Sequence, residues 1–167
     1  MPTDRTAIDT ITGYYYQFDY YILQLLNCPN GCDEVCIEAI EDVDIRSADE
    51  TTAVQCKYYA KTEYNHSVIA KPIRLMLDHF KQNTTNRDNI YYKLYGHFQC
   101  GQSKLTQPIS LSFLKEKFLT YTKNKVKYEH HKDLNLSDVE LSQFLEHLTV
   151  NIEAAELSAQ KRTIITK

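Results

Sequence analysis

Two β-type runs, Val35-Cys-Ile-Glu-Ala-Ile-Glu-Asp-Val-Asp-Ile45 and Ala53-Val-Gln-Cys-Lys-Tyr-Tyr59, constrain this chain more than any other feature. A polar turn, Arg46 to Thr52, separates them. Side chains alternate faces along a strand. Asp42 and Asp44 are therefore expected on one face and Val43 and Ile45 on the other. In the second run Gln55 and Lys57 share a face, opposite Val54, Cys56 and Tyr58. Paired as a hairpin, the runs bring two carboxylates, an amide and an ammonium to one side of a sheet whose other side is apolar. The first run also divides naturally at Glu41 into two shorter strands.

The rest of the chain supplies helices and one more strand. Tyr14, Tyr15, Phe18, Tyr21, Ile22, Leu25 and Leu26 recur at steps of three and four, predicting a helix over 13–27 that buries this stripe, capped by Thr12 or extended upstream through Ala7, Ile8 and Ile11. Cys28 to Glu34 reads as a loop. A helix is expected over 68–83 with Pro72 near its first turn, and a long aromatic strand over Ile90–Cys100. From 109 the pattern turns helical, with a lysine-rich stretch to Lys132. Ser137-Asp-Val-Glu140 is a capping box that opens a helix expected to carry Val139, Leu141, Phe144, Leu145 and Leu148. A last amphipathic helix is expected over 152–161. The resulting class is α/β: an αβββαβ core with a mixed sheet over 1–108, followed by a helical extension over 109–167.

Charge is distributed unevenly. Residues 1–56 hold 11 acidic and 2 basic side chains, whereas residues 57–132 hold 5 acidic and 14 basic ones. An acidic site beside a basic region suits an enzyme that acts on a polyanion; the plainer alternative is two solvated faces. With only 4 glycines there is no phosphate-cradling glycine loop, which argues against an ATP-driven or dinucleotide enzyme. No apolar run approaches the ~18 residues of a membrane span. No signal-like leader is visible, so the expected compartment is the cytoplasm, without membrane association. Cys28, Cys32 and Cys36 are spaced by four, which matches a zinc site only loosely because the short CxxC pairs are missing; reduced thiols are expected.

Hard divalent cations such as Mg²⁺ or Mn²⁺ take oxygen ligands, one or two of them carboxylates. Asp42 or Asp44 can supply the principal carboxylate, Glu38 a second, and Gln55 a neutral amide oxygen. Lys57 can orient the attacking water and stabilise charge on a phosphate.

Glu41-Asp42-Val-Asp-Ile45 followed by Val54-Gln-Cys-Lys-Tyr-Tyr59 resembles the core of the PD-(D/E)XK, or restriction-endonuclease-like, nucleases, and the Gln-x-Lys form resembles the Mrr-type branch. Gly13-Tyr-Tyr-Tyr-Gln17, an apolar helix and then Ile37-Glu38…Glu41-Asp42 resemble a narrower group: the double-stranded DNA endonuclease effectors of CBASS and related antiphage systems. The resemblance covers residues 12–100 and implies a metal-dependent DNA endonuclease serving bacterial defence. It implies Asp42 as metal carboxylate, with Asp44 as its rival, and Lys57 as catalytic lysine. Gln55 becomes the variant middle ligand, and Glu38 and Gln17 support the site. DNA, a sensor or regulatory domain or subunit, and further copies of the chain are the partners it implies. The competing expectation is a nuclease-fold module that binds nucleic acid or protein without catalysis, because Gln55 replaces an acidic ligand.

Overall fold

A computed structural model describes the backbone of residues 4–28 and 33–167, and side chains from residue 7. The loop assigned to Cys28–Glu34 lies largely outside the described residues; Glu34 already belongs to a strand. In chain order the elements are α1 (Asp4–Asn27), β1 (Glu34–Ile37), β2 (Val43–Arg46), β3 (Thr51–Glu63), α2 (His66–Gln82) and β4 (Ile90–Cys100). A helical segment follows, α3 (Leu111–Phe113), continuing as a π-helix over Leu114–Leu119. Then come β5 (Thr120–Lys123), β6 (Val126–Glu129), α4 (His130–Asp133), α5 (Asp138–Glu146), β7 (Leu148–Asn151) and α6 (Leu157–Ile165).

The first six elements give the αβββαβ order. Their four strands and β7 build a mixed five-stranded sheet in the order β1-β2-β3-β4-β7. β1, β2 and β3 form an antiparallel meander, with Val43 opposite Val54 and Asp44 opposite Ala53. The α2 crossover then makes β4 parallel to β3, and β7 adds parallel to β4. The first run does divide, slightly earlier than Glu41. Glu38 has a φ of 55°, and residues 38–42 form the turn between β1 and β2.

The two sheet faces are covered differently. On one, Ala53, Tyr92 and Leu94 pack beneath α2 (Ile69, Ile73, Met76, Leu77, Phe80) and beneath Leu114, Phe118, Leu141 and Phe144. Residues 109–167 thus share this core with the first hundred, and through β7 they lengthen the sheet. On the other face, Val43, Val54 and Cys56 meet α1 through Tyr16 and Tyr20. The Tyr16 ring lies 4.7 Å from that of Tyr58 and 5.8 Å from that of Tyr95, and Tyr20 lies 4.4 Å from Tyr95. Tyr16 donates its hydroxyl to Ala155 O at 3.0 Å, which satisfies the one polar atom of a fully buried ring.

Several expectations change. α1 begins upstream, so Thr12 is internal rather than a cap, and its hydroxyl donates to Ile8 O at 2.7 Å. The stripe expected to be buried is the outer face of α1: Tyr14, Tyr15, Phe18, Ile22, Leu25 and Leu26 are exposed, while Tyr16 and Tyr20 face the sheet. α2 starts at His66 behind the Asn65 cap, which places Pro72 beyond its first turn. The helical pattern expected from 109 holds over Leu111–Leu119, but Lys123, Lys125 and Lys127 lie on a β5–β6 hairpin turned at Asn124 and Lys125, both with positive φ. The Ser137/Glu140 capping box is present, but α5 ends at Glu146 and Leu148 enters β7. Val139 is exposed, and the last helix starts at Leu157 rather than near 152.

Candidate active site

β2 begins at Val43, opposite Val54, so beyond that point β3 has no neighbour on its β2 side. An uncovered strand edge presents unpaired backbone amides. Here the Asp42 carboxylate takes the place of the missing strand: its Oδ2 accepts from Cys56 N at 2.8 Å and from Gln55 Nε2. Gln17, on α1, donates Nε2 to the Asp42 backbone carbonyl at 3.2 Å and so ties the helix to the turn. A cleft of about 840 Å³ runs along this edge between α1 (Ile8, Thr12, Tyr14 and Gln17 among its residues) and β3 (Cys56–Thr62). Asp42 and Lys57 both line it.

Three of the residues singled out in the sequence are therefore brought together. Asp42 and Gln55 are in contact, and Lys57 stands two residues on along the same strand. Asp42 Oδ1 and Gln55 Oε1 have no hydrogen-bond partner among the described residues. Lys57 Nζ also lacks a direct partner among them, although its charge is felt by Glu41 and Cys56.

Asp44 is placed elsewhere. It is fully buried, and its carboxylate accepts from the backbone amides of Ala39 (3.2 Å), Ile40 (2.7 Å) and Glu41 (3.3 Å). That carboxylate closes the turn from within, so all its hydrogen bonds serve the backbone. Glu38 is exposed in the left-handed conformation, and its amide donates to Asp42 O at 3.2 Å. It is not among the described residues that line the cleft.

Glu41 is the residue that the alternation argument missed. Burial pushes its carboxyl up to about 7; the Asp42 carboxylate adds to the rise, and the Lys57 ammonium opposes it. Strict alternation set Glu41 on the opposite face from Asp42, but alternation does not apply inside the turn that Glu38 opens. The only sequence signal was its place directly before Asp42. Because the folded-state value is raised, ionising Glu41 costs stability. The penalty is absent below the unfolded value of 4.5 and complete once the pH has risen through about 7. In EDTA, Glu41→Gln should therefore gain stability relative to the parent across that window, by about 2 kcal/mol after screening. Thermal unfolding at several pH values checks this; a pH-independent difference would remove the argument.

The donor set here is oxygen only. Among the described residues no three His, Cys, Asp or Glu side chains are grouped to enclose a metal. A cage of that kind suits zinc, whereas Mg²⁺ takes one or two carboxylates and keeps several waters. The free Asp42 Oδ1 and the Gln55 carbonyl fit the second pattern; the buried Glu41 carboxyl does not line the cleft but is near enough to feel the Asp42 charge. Cys28 and Cys36 are free thiols, and Cys32 lies outside the described residues. The Cys56 thiol is buried, and burial raises its pKa well above the ordinary range, so it is not a nucleophile.

The basic block does not form one continuous stripe. Lys61, Lys81, Lys104, Lys115, Lys117 and Lys132 each pair with a carboxylate. Lys123, Lys125 and Lys127 are exposed on the β5–β6 hairpin with no ion-pair partner among the described residues. Stacking of Tyr121 on Tyr128 at 5.3 Å, with Arg74 over Tyr121 at 4.4 Å, stiffens the base of that hairpin.

No protein-family model, curated protein or solved structure matches the chain. No helix among the described residues is long and apolar enough to cross a membrane.

Proposed function

We propose that the cleft between α1 and the open edge of β3 is the centre of a metal-dependent DNA endonuclease. The observation that carries this reading is the junction of Asp42, Gln55 and Lys57 at the point where β2 ends. Asp42 Oδ1 and Gln55 Oε1 would hold the cation. Bound there, a divalent cation lowers the pKa of a coordinated water and offsets charge on a phosphodiester. The chain's own residues do the rest. Asp42 is fixed by two donors and by Gln17, so its free oxygen has a defined direction. Lys57, an ammonium without a fixed partner, is available to orient the nucleophilic water and to stabilise the anionic phosphate. The unpaired lysines of the β5–β6 hairpin supply charge for the DNA backbone, and binding should weaken steeply with salt. A role as an effector in bacterial antiphage defence, under a sensor domain or subunit, rests on the sequence resemblance alone.

A second reading has one observation in its favour. Asp42 Oδ2 is already satisfied by Gln55 and Cys56, so the junction holds together without a cation. A module that binds DNA without cutting it would have the same arrangement. Conversion of supercoiled plasmid in Mg²⁺, blocked by EDTA, supports the endonuclease. Salt-sensitive DNA binding with no conversion supports the module.

A further inference from the structure

The outer face of α1 is left largely uncovered in the fold, with Lys161 of α6 lying 5.7 Å from the Tyr15 ring. Ile8, Ile11, Tyr14, Tyr15, Phe18, Ile22, Leu25 and Leu26 are each 40–56% exposed. At about 100° per residue they fall within an arc of roughly 120°, opposite Tyr16 and Tyr20, which pack on the sheet. The helix therefore points its most continuous apolar stripe away from its own core. Isolated exposed apolar residues are ordinary, but a contiguous patch of several hundred Å² marks an interaction surface.

Size, charge and pattern identify the occupant. Eight large side chains, each about half exposed at roughly 200 Å² apiece, present about 800 Å², which is what one partner contributes to a standard stable interface. From Thr10 to Asn27 the only charged residue is Asp19, so one carboxylate per copy, itself within reach of the Lys161 charge, is all the like charge this stretch sets against self-association. Five of the eight positions are also symmetric about Phe18: Tyr14 and Ile22 lie four residues either side, and Ile11 and Leu25 seven. A two-fold interface must be self-complementary, residue against residue.

We propose that the chain forms a two-fold dimer through antiparallel pairing of α1 with α1 of a second copy, centred on Phe18. Ile11 then meets the second copy's Leu25, and Tyr14 meets its Ile22. Ile8 and Tyr14 also line the cleft, so the second copy's helix becomes part of the cleft wall. The pairing rests on the exposed face and stands whether or not the cleft cuts DNA.

Analytical ultracentrifugation tests it. The parent should sediment at twice the 19.5 kDa of one chain. Phe18→Glu, which places two carboxylates on the two-fold axis, should raise the dimer dissociation constant at least about a hundred-fold. Its circular dichroism should match the parent's, because Phe18 is not part of the core. Phe18→Lys should do the same, and a one-to-one mixture of the two variants should form dimers again, which a misfolded helix would not. A parent that stays monomeric at every attainable concentration, a dimer that survives Phe18→Glu, or a mixture that stays monomeric would overturn the proposal. The first of these would leave the stripe to a different partner.

Discussion

Lys57→Ala should lower plasmid cleavage by about a thousand-fold while leaving the protein as stable as the parent. The two halves of this result have separate causes. The Lys57 ammonium has no hydrogen bond or ion pair to lose among the described residues, and it lies on the open stretch of β3 beside the cleft. A partly exposed lysine without a fixed partner contributes about 0.5 kcal/mol or less to stability. A positioned proton-transfer or charge-stabilising group is worth about 10²–10⁴ in rate. Lys57→Arg keeps the charge but replaces a compact ammonium by a planar fork, and should recover little of the rate. Cleavage kinetics and urea unfolding on the same samples separate the two effects. A variant that cuts at the parental rate would exclude Lys57 from the chemistry.

Asp44→Ala should give the opposite profile, a loss of about 3 kcal/mol or more in unfolding free energy. Asp44 is fully buried, and its carboxylate is shared by three backbone amides of the β1–β2 turn. Removing it leaves three part-buried amides without their shared acceptor, and a donor left unsatisfied costs up to about 1–3 kcal/mol. Asp44→Asn retains one acceptor oxygen and should fall between parent and Ala. The turn also sets Glu41 and Asp42, so loss of Asp44 should disturb the cleft as a consequence of unfolding the turn. Chemical denaturation measures this; an Asp44→Ala protein with the parental midpoint would contradict the turn-closing role.

Asp42 and Asp44 illustrate what the sequence discloses and what it conceals. Two residues apart on a strand, they were equivalent candidates. What separates them is the left-handed residue Glu38, which opens a turn at 38–42 and leaves Asp42 outside β2. A positive φ at a glutamate carries no compositional signal. The element order was legible because alternation in 53–59, the aromatic run at 90–100 and the Ser137 capping box are local patterns with local causes. The β5–β6 hairpin was not, because its turn uses Asn124-Lys125 in place of the Asn-Gly pair that marks such turns. The α1 stripe was read with the right period and the wrong direction. Periodicity identifies a continuous apolar face, but only the three-dimensional arrangement shows which surface covers it.

The most direct test of the nuclease centre is supercoiled plasmid incubated with the parent and with Asp42→Asn, each in Mg²⁺ and in EDTA. Asp42→Asn keeps the side-chain volume but removes the charge that a cation needs. Nicked or linear plasmid is expected only with the parent in Mg²⁺. Equal cutting by Asp42→Asn, undiminished cutting in EDTA, or a folded parent that binds DNA and never cuts it would contradict the assignment.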